Sequence, residues 1–190
     1  MAFLETVTVS VDLTILIWLI PVVFFIHDGE EVLMVRRWLR RHQSQPSIVK
    51  ATRFLASDKY VTGQFAIAIF LLGVSLLIVT YTAAVQYHSQ GRLSGLYAGI
   101  LVALVIDGLK HIGMWIRLKH YTPGVITAVV VEIPVASYAI YRFYSSGVAN
   151  FQTFIWGFII ALPFVWFVVV GGLIVGKVMA PRIGFRKPSQ

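Results

Sequence analysis

The stretch Leu13-Thr14-Ile15-Leu16-Ile17-Trp18-Leu19-Ile20-Pro21-Val22-Val23-Phe24-Phe25-Ile26-His27-Asp28-Gly29-Glu30-Glu31-Val32-Leu33-Met34-Val35 decides the fold. From Leu13 to Ile26 it offers almost no polar face, so a helix formed there is apolar nearly all round and calls for lipid as its solvent. Phe65 to Val79 and Leu96 to Ile106 have the same character. The whole chain of 190 residues is 58% hydrophobic with a mean hydropathy of +0.81, more than a soluble core absorbs. A single membrane domain over residues 1–190 follows.

At about 20 residues per span, five helices fall near 10–35, 61–86, 94–117, 124–142 and 151–177. The expectation is therefore an all-α, polytopic bundle of about five transmembrane helices. Residues 36–60 read as an interfacial connector, opening with Arg36-Arg37-Trp38-Leu39-Arg40-Arg41-His42 and carrying Lys50, Arg53, Asp58 and Lys59 further on. The first segment lacks a basic leader and a small-residue cleavage site, and so reads as retained.

Charge sets the orientation. On one side of the five spans lie Arg36, Arg37, Arg40, Arg41, Lys50, Arg53, Lys59, Arg117, Lys119, Lys177, Arg182, Arg186 and Lys187, and on the other only Arg92 and Arg142. Basic loops stay in the cytoplasm, which places the C-terminus there and the N-terminus, with Glu5 and Asp12, outside. The same clustering beside apolar spans argues against nucleic acid as the partner of a net charge of +8. A multi-pass protein of a bacterial-type plasma membrane is the expected localisation. Cysteine is absent, which excludes disulfides, thiolate metal sites and a cysteine nucleophile.

Gly95, Gly99, Ala103, Asp107 and His111 recur every fourth residue, forming a stripe of small residues on which neighbouring helices approach closely. Gly172 and Gly176 repeat the device in the last span. Pro21, Pro134 and Pro163 are expected to kink their helices. Gln64, Ser75, Tyr81 and Thr82 are suited to bonds between helices. Trp115, Trp156 and Trp166 suit either a cavity wall or the interface, and His42, His88 and His120 fall near solvated span ends.

The chemistry lies in the interruption. His27, Glu30 and Glu31 stand at i, i+3 and i+4 on one helical face. Asp107 and His111 repeat the four-residue spacing in the third span with Lys110 beside them, and Glu132 lies mid-way through the fourth, just before Pro134. At about 1.5 Å rise per residue, His27 and Glu31 sit ~6 and ~12 Å from the membrane centre and His111 ~9 Å toward the same side, with Asp107 almost central. Isolated charge at that depth costs several kcal/mol, so such groups mark a site, relay or pathway. The structural alternatives are a span ending at Ile26 with a surface helix beyond it, an ion pair internal to the third span, and a protonated Glu132 that only packs.

Four carboxylates against one lysine and two histidines leave a negative sum. Either a divalent metal, zinc or iron, neutralises it, or carboxylates keep their protons. In the metal reading His27, Glu31 and His111 are the ligands, with Glu30 or Glu132 as general base and Asp107 in the catalytic set, for a hydrolytic reaction. In the metal-free reading a protonated Glu delivers a proton to an alkene or epoxide and an aromatic-lined cavity holds the cation, as in an isomerase or cyclase. The substrate is apolar or lipid-like in both. A proton- or cation-coupled transporter uses the same groups; five spans without internal symmetry make a monomeric transporter less natural, although a homo-oligomer such as a dimer could build the path. A structural or sensory subunit is the third class.

The pattern His27-x-x-Glu30-Glu31 near the end of a first apolar helix resembles the HxxEE family of membrane proteins. His111, followed by Tyr121-Thr122-Pro123-Gly124-Val125-Ile126-Thr127 at the start of the next span, is similar as well, and the resemblance covers roughly residues 20–135. It implies an all-helical membrane protein with its site around these histidines and glutamates, and no assigned reaction.

Overall fold

A computed structural model describes residues 11–42 and 59–183 and, between these, 44–46, 48, 52 and 55. Lys50, Arg53 and Asp58 of the expected connector, Glu5, Arg186 and Lys187 lie outside the described residues. Five helices are long and apolar enough to cross a membrane: α1 Leu13–Arg41, α2 Val61–Gln90, α3 Gly95–Leu118, α4 Val125–Ser145 and α5 Phe151–Met179. No strand occurs among the described residues.

The first helix runs past the expected end of its span. Nothing between Val35 and Arg41 breaks a helix, and Arg40 and Arg41 in its last turn meet the negative end of the backbone dipole. The Arg36–Arg41 run is therefore the end of α1, and the connector begins only at His42. Asp12 starts the helix, its side chain accepting from the Thr14 amide at 2.6 Å. The α5 helix begins with a capping box between Asn150 and Thr153.

Small residues set how closely the helices pack. A Cβ on Gly99 would stand 2.0 Å from the Gly157 carbonyl oxygen, so α3 and α5 touch backbone to backbone. Gly172 and Gly176 lie in the same way against Ala68 and Gln64 of α2. The Gln64 side chain donates to the Leu173 carbonyl at 2.9 Å, joining α2 to α5, and the buried Tyr97 hydroxyl donates to Ile17 O at 2.9 Å, joining α3 to α1. Ser75 and Thr82 instead satisfy carbonyls of their own helix, and Tyr81 is exposed. The apolar core gathers Ile17, Ile20, Leu76, Leu101 and Phe143.

The α4 helix opens irregularly. Residues Ala128–Glu132 form a π-turn, closed by the Ile133 amide on the Ala128 carbonyl five residues back. Pro134 follows directly, with no N–H to give and a ring that crowds the preceding turn. A widened turn absorbs both defects and rotates Glu132 inward. Trp115, Trp156 and Trp166 turn outward, at 49%, 63% and 66% exposure. His42 is buried against Trp38 and not solvated.

Candidate active site

Three helices bring their ionisable groups to one point. His27 of α1, His111 of α3 and Glu132 of α4 are 2%, 1% and 1% exposed, and the two imidazole rings cross edge to face with centroids 4.8 Å apart. His27 is thus buried between helices of the bundle, on a helix that continues unbroken from Leu13 to Arg41. The pairing depends on Gly124, which sits at φ +86°; a Cβ there would lie 2.8 Å from His111 Cε1 and 3.0 Å from His27 Cε1. Only glycine supplies both the left-handed backbone and the space.

Asp107 joins the histidines. Its Oδ1 pairs with Lys110 Nζ at 2.5 Å, while its Oδ2 lies 3.1 Å from His111 Nε2 and 3.6 Å from His27 Nε2. Lysine on one oxygen thus leaves the other for the imidazoles. Glu132 Oε2 stands 3.5 Å from His27 Nε2, and Glu31 Oε1 stands 3.1 Å from His111 Nε2. His27, Asp107 and His111 form a group whose donor atoms all fall within 4.8 Å of one another, suited to a metal ion. Asp107 is the carboxylate of that group, and Glu31 stands beside it in contact with His111.

Glu30 has other partners. One of its oxygens accepts from the Tyr121 hydroxyl at 2.5 Å, and the other accepts from the Thr127 amide at 2.9 Å and the Thr127 hydroxyl at 2.7 Å. The hydroxyl's single proton is thereby committed, so Thr127 Oγ1 meets His27 Nδ1, 3.1 Å away, as an acceptor. His27 must carry its proton on Nδ1. In the neutral ring the lone pair then sits on Nε2, facing the oxygens of Asp107 and Glu132. Neither His27 Nε2 nor Glu132 Oε2 makes a hydrogen bond among the described residues.

A cavity of about 200 Å³ adjoins this cluster. Phe24, Leu72, Leu76, Leu104 and Phe164 contribute to its apolar walls, and Asp28, Glu31, Asp107, Lys110 and Glu132 make its polar end. The site therefore combines a greasy chamber with charged groups at one extremity.

The chain matches, over residues 18–139, a family described as proteins of unknown function with an HXXEE motif. It belongs to the HXXEE family. None of the curated proteins and none of the solved structures compared with the chain matches it. In this HXXEE protein the motif's histidine enters the buried cluster, its first glutamate clasps Tyr121 before α4 and Thr127 in the first turn of α4, and its second glutamate touches His111. Residue chemistry alone does not mark Thr127, Gly124 and Tyr121, which stand in the sequence only as part of the Tyr121–Thr127 resemblance. The signal available for them was Pro123-Gly124, a turn pair placed just ahead of a span.

Proposed function

We propose that this HXXEE protein is an intramembrane enzyme in which His27, Asp107 and His111 hold a divalent metal and Glu132 acts as acid or base on an apolar or lipid-like substrate. The convergence of the His27 Nε2 lone pair with two carboxylates at a buried point carries the reading. Bonds of about 2.0–2.2 Å to a tetrahedral ion imply donor-to-donor edges of about 3.3–3.6 Å. The separations from Asp107 Oδ2, 3.1 Å to His111 Nε2 and 3.6 Å to His27 Nε2, are close to those edges. Two imidazoles and a carboxylate suit zinc or iron(II). Such an ion would supply Lewis-acid polarisation of a substrate oxygen or activation of water, which favours hydrolysis.

The chain's own groups do the rest. Glu30 and Thr127 hold the His27 ring in one tautomer, as partners behind metal-binding histidines generally do. Lys110 orients Asp107. Glu132, buried at the cavity wall, is placed to exchange a proton with a group at the polar end, and the apolar walls take the substrate's hydrocarbon portion while keeping water out. A metal-free isomerase or cyclase is the second reading, favoured by the buried Glu132 carboxyl and the two cavity phenylalanines. The bilayer as surroundings, a cytoplasmic C-terminus in a bacterial-type plasma membrane and association of copies belong to the same proposal, supported by the basic asymmetry and the apolar helix faces.

The test is turnover in vesicles made from extracted cellular lipids, followed by mass spectrometry of the lipid pool. Wild-type protein loaded with zinc or iron is expected to convert a lipid species and Glu132→Gln to convert none at equal helix content. An unchanged pool with wild type would remove the support for this reading.

A further inference from the structure

Beyond the buried cluster lies a second concave site, with different chemistry. The stripe Glu30, Met34, Arg37 and Arg41 runs along one face of α1 at spacings of three and four residues. It faces the 119–127 segment across a groove of about 770 Å³, to which His42 and His120 also contribute. The groove has fixed walls. Trp38 Nε1 donates to the Tyr121 carbonyl at 2.9 Å, pinning α1 to the loop. His42 donates from Nδ1 to the Trp38 carbonyl at 2.8 Å and stacks 4.7 Å from the indole, with the His120 ring 6.1 Å beyond.

Its charge is unbalanced. Glu30 is the groove's carboxylate, and both its oxygens are taken by Tyr121 and Thr127. No carboxylate among the described residues pairs with Arg37 or Arg41. Two guanidinium forks and two imidazoles therefore line an open groove at the last turns of a span, where a bilayer's headgroups lie. Met34 and Ile126, at the groove's other end, are exposed apolar side chains that suit the start of an acyl chain. We infer that this groove binds a phosphate-bearing anion, the headgroup of an anionic phospholipid, with the phosphate on Arg37 and Arg41 and the hydrocarbon along Met34 and Ile126. A general attraction of basic residues to a negative surface would need neither the pinned loop nor the buried His42.

The inference stands apart from the proposed reaction, since Glu30 and Thr127 separate the groove from the buried histidines. It is tested by the unfolding midpoint of the full chain in neutral detergent, titrated with short-chain phosphatidylglycerol, short-chain phosphatidylcholine or inorganic phosphate. Phosphatidylglycerol should raise the midpoint saturably and phosphatidylcholine should not. Loss of two charge-assisted contacts in Arg37→Gln/Arg41→Gln should raise the half-saturating concentration at least about tenfold, while Arg182→Gln, outside the groove, should leave it unchanged. Inorganic phosphate reproducing the shift would support the anion site and identify free phosphate as the ligand. Equal responses to both lipids, or an undiminished response in the double variant, would overturn the inference. Should the double variant not fold, exposed His120→Ala gives the same readout, with several-fold weaker binding expected.

Discussion

Replacing Thr127 by valine removes one oxygen and keeps the side chain's shape. Glu30 stays anchored by the Tyr121 hydroxyl at 2.5 Å and the Thr127 amide at 2.9 Å, so the clasp between α1 and α4 survives. What disappears is the acceptor 3.1 Å from His27 Nδ1. A buried N–H left without a partner costs about 1–3 kcal/mol, and the ring no longer has reason to keep its proton on Nδ1. Removing such a backing partner lowers metal affinity about 10- to 100-fold. At 1.4 kcal/mol per factor of ten, this is about 1.4–2.8 kcal/mol, in agreement with the hydrogen-bond figure. The assay is calorimetric titration of detergent-solubilised protein with zinc, wild type against Thr127→Val and Thr127→Ser. Serine restores the hydroxyl and should stay within a few-fold of wild type. Equal affinities for the valine variant and wild type would refute the tautomer argument, and so would a serine variant as impaired as valine.

Gly124→Ala should cost about 1–2 kcal/mol for the left-handed backbone alone and drive the two imidazoles apart, abolishing zinc binding with helix content by circular dichroism unchanged. Gly99→Ala, whose Cβ would stand 2.0 Å from the Gly157 carbonyl oxygen, should lower stability in a denaturant titration by about 1–3 kcal/mol, the usual cost of overpacking. Burial and the hydrogen bond to Glu30 raise the pKa of the Tyr121 phenol, in the loop between α3 and α4. Its contribution to stability is therefore present below about pH 10, the unperturbed value, and is lost as pH rises from there through the folded-state value. Unfolding followed across that window should show this alkaline loss in wild type and its reduction in Tyr121→Phe.

Much of this architecture was written in periodicity. Five apolar runs gave five spans, and the i, i+3, i+4 spacing of His27, Glu30 and Glu31 with the i, i+4 spacing of Asp107 and His111 placed titratable groups at one depth. What periodicity could not supply is which oxygen meets which nitrogen. Glu30 and Glu31 are neighbours in sequence and about 100° apart on the helix, so one faces the loop before α4 and the other His111. Asp107 stands in the donor group of the two histidines because Lys110 takes its other oxygen, a division no spacing rule reports. The π-turn at Ala128–Glu132 arises from a local contest between Pro134 and the helix ladder, which a hydropathy pattern does not register. The extension of α1 to Arg41 is not legible in hydropathy, because a basic run ends an apolar pattern without ending a helix. Outward tryptophans and a buried His42 likewise depend on neighbours far along the chain.

The central claim is that His27, Asp107 and His111 hold one divalent ion inside the bundle. X-ray absorption spectroscopy of zinc-loaded protein, with metal content measured on the same sample, addresses it directly. The account predicts one zinc per chain, two imidazole nitrogens and carboxylate oxygen at about 2.0–2.2 Å, with the imidazole signal lost in His27→Ala and in His111→Ala. Zinc well below one per chain after loading, or a spectrum that neither substitution alters, would contradict it.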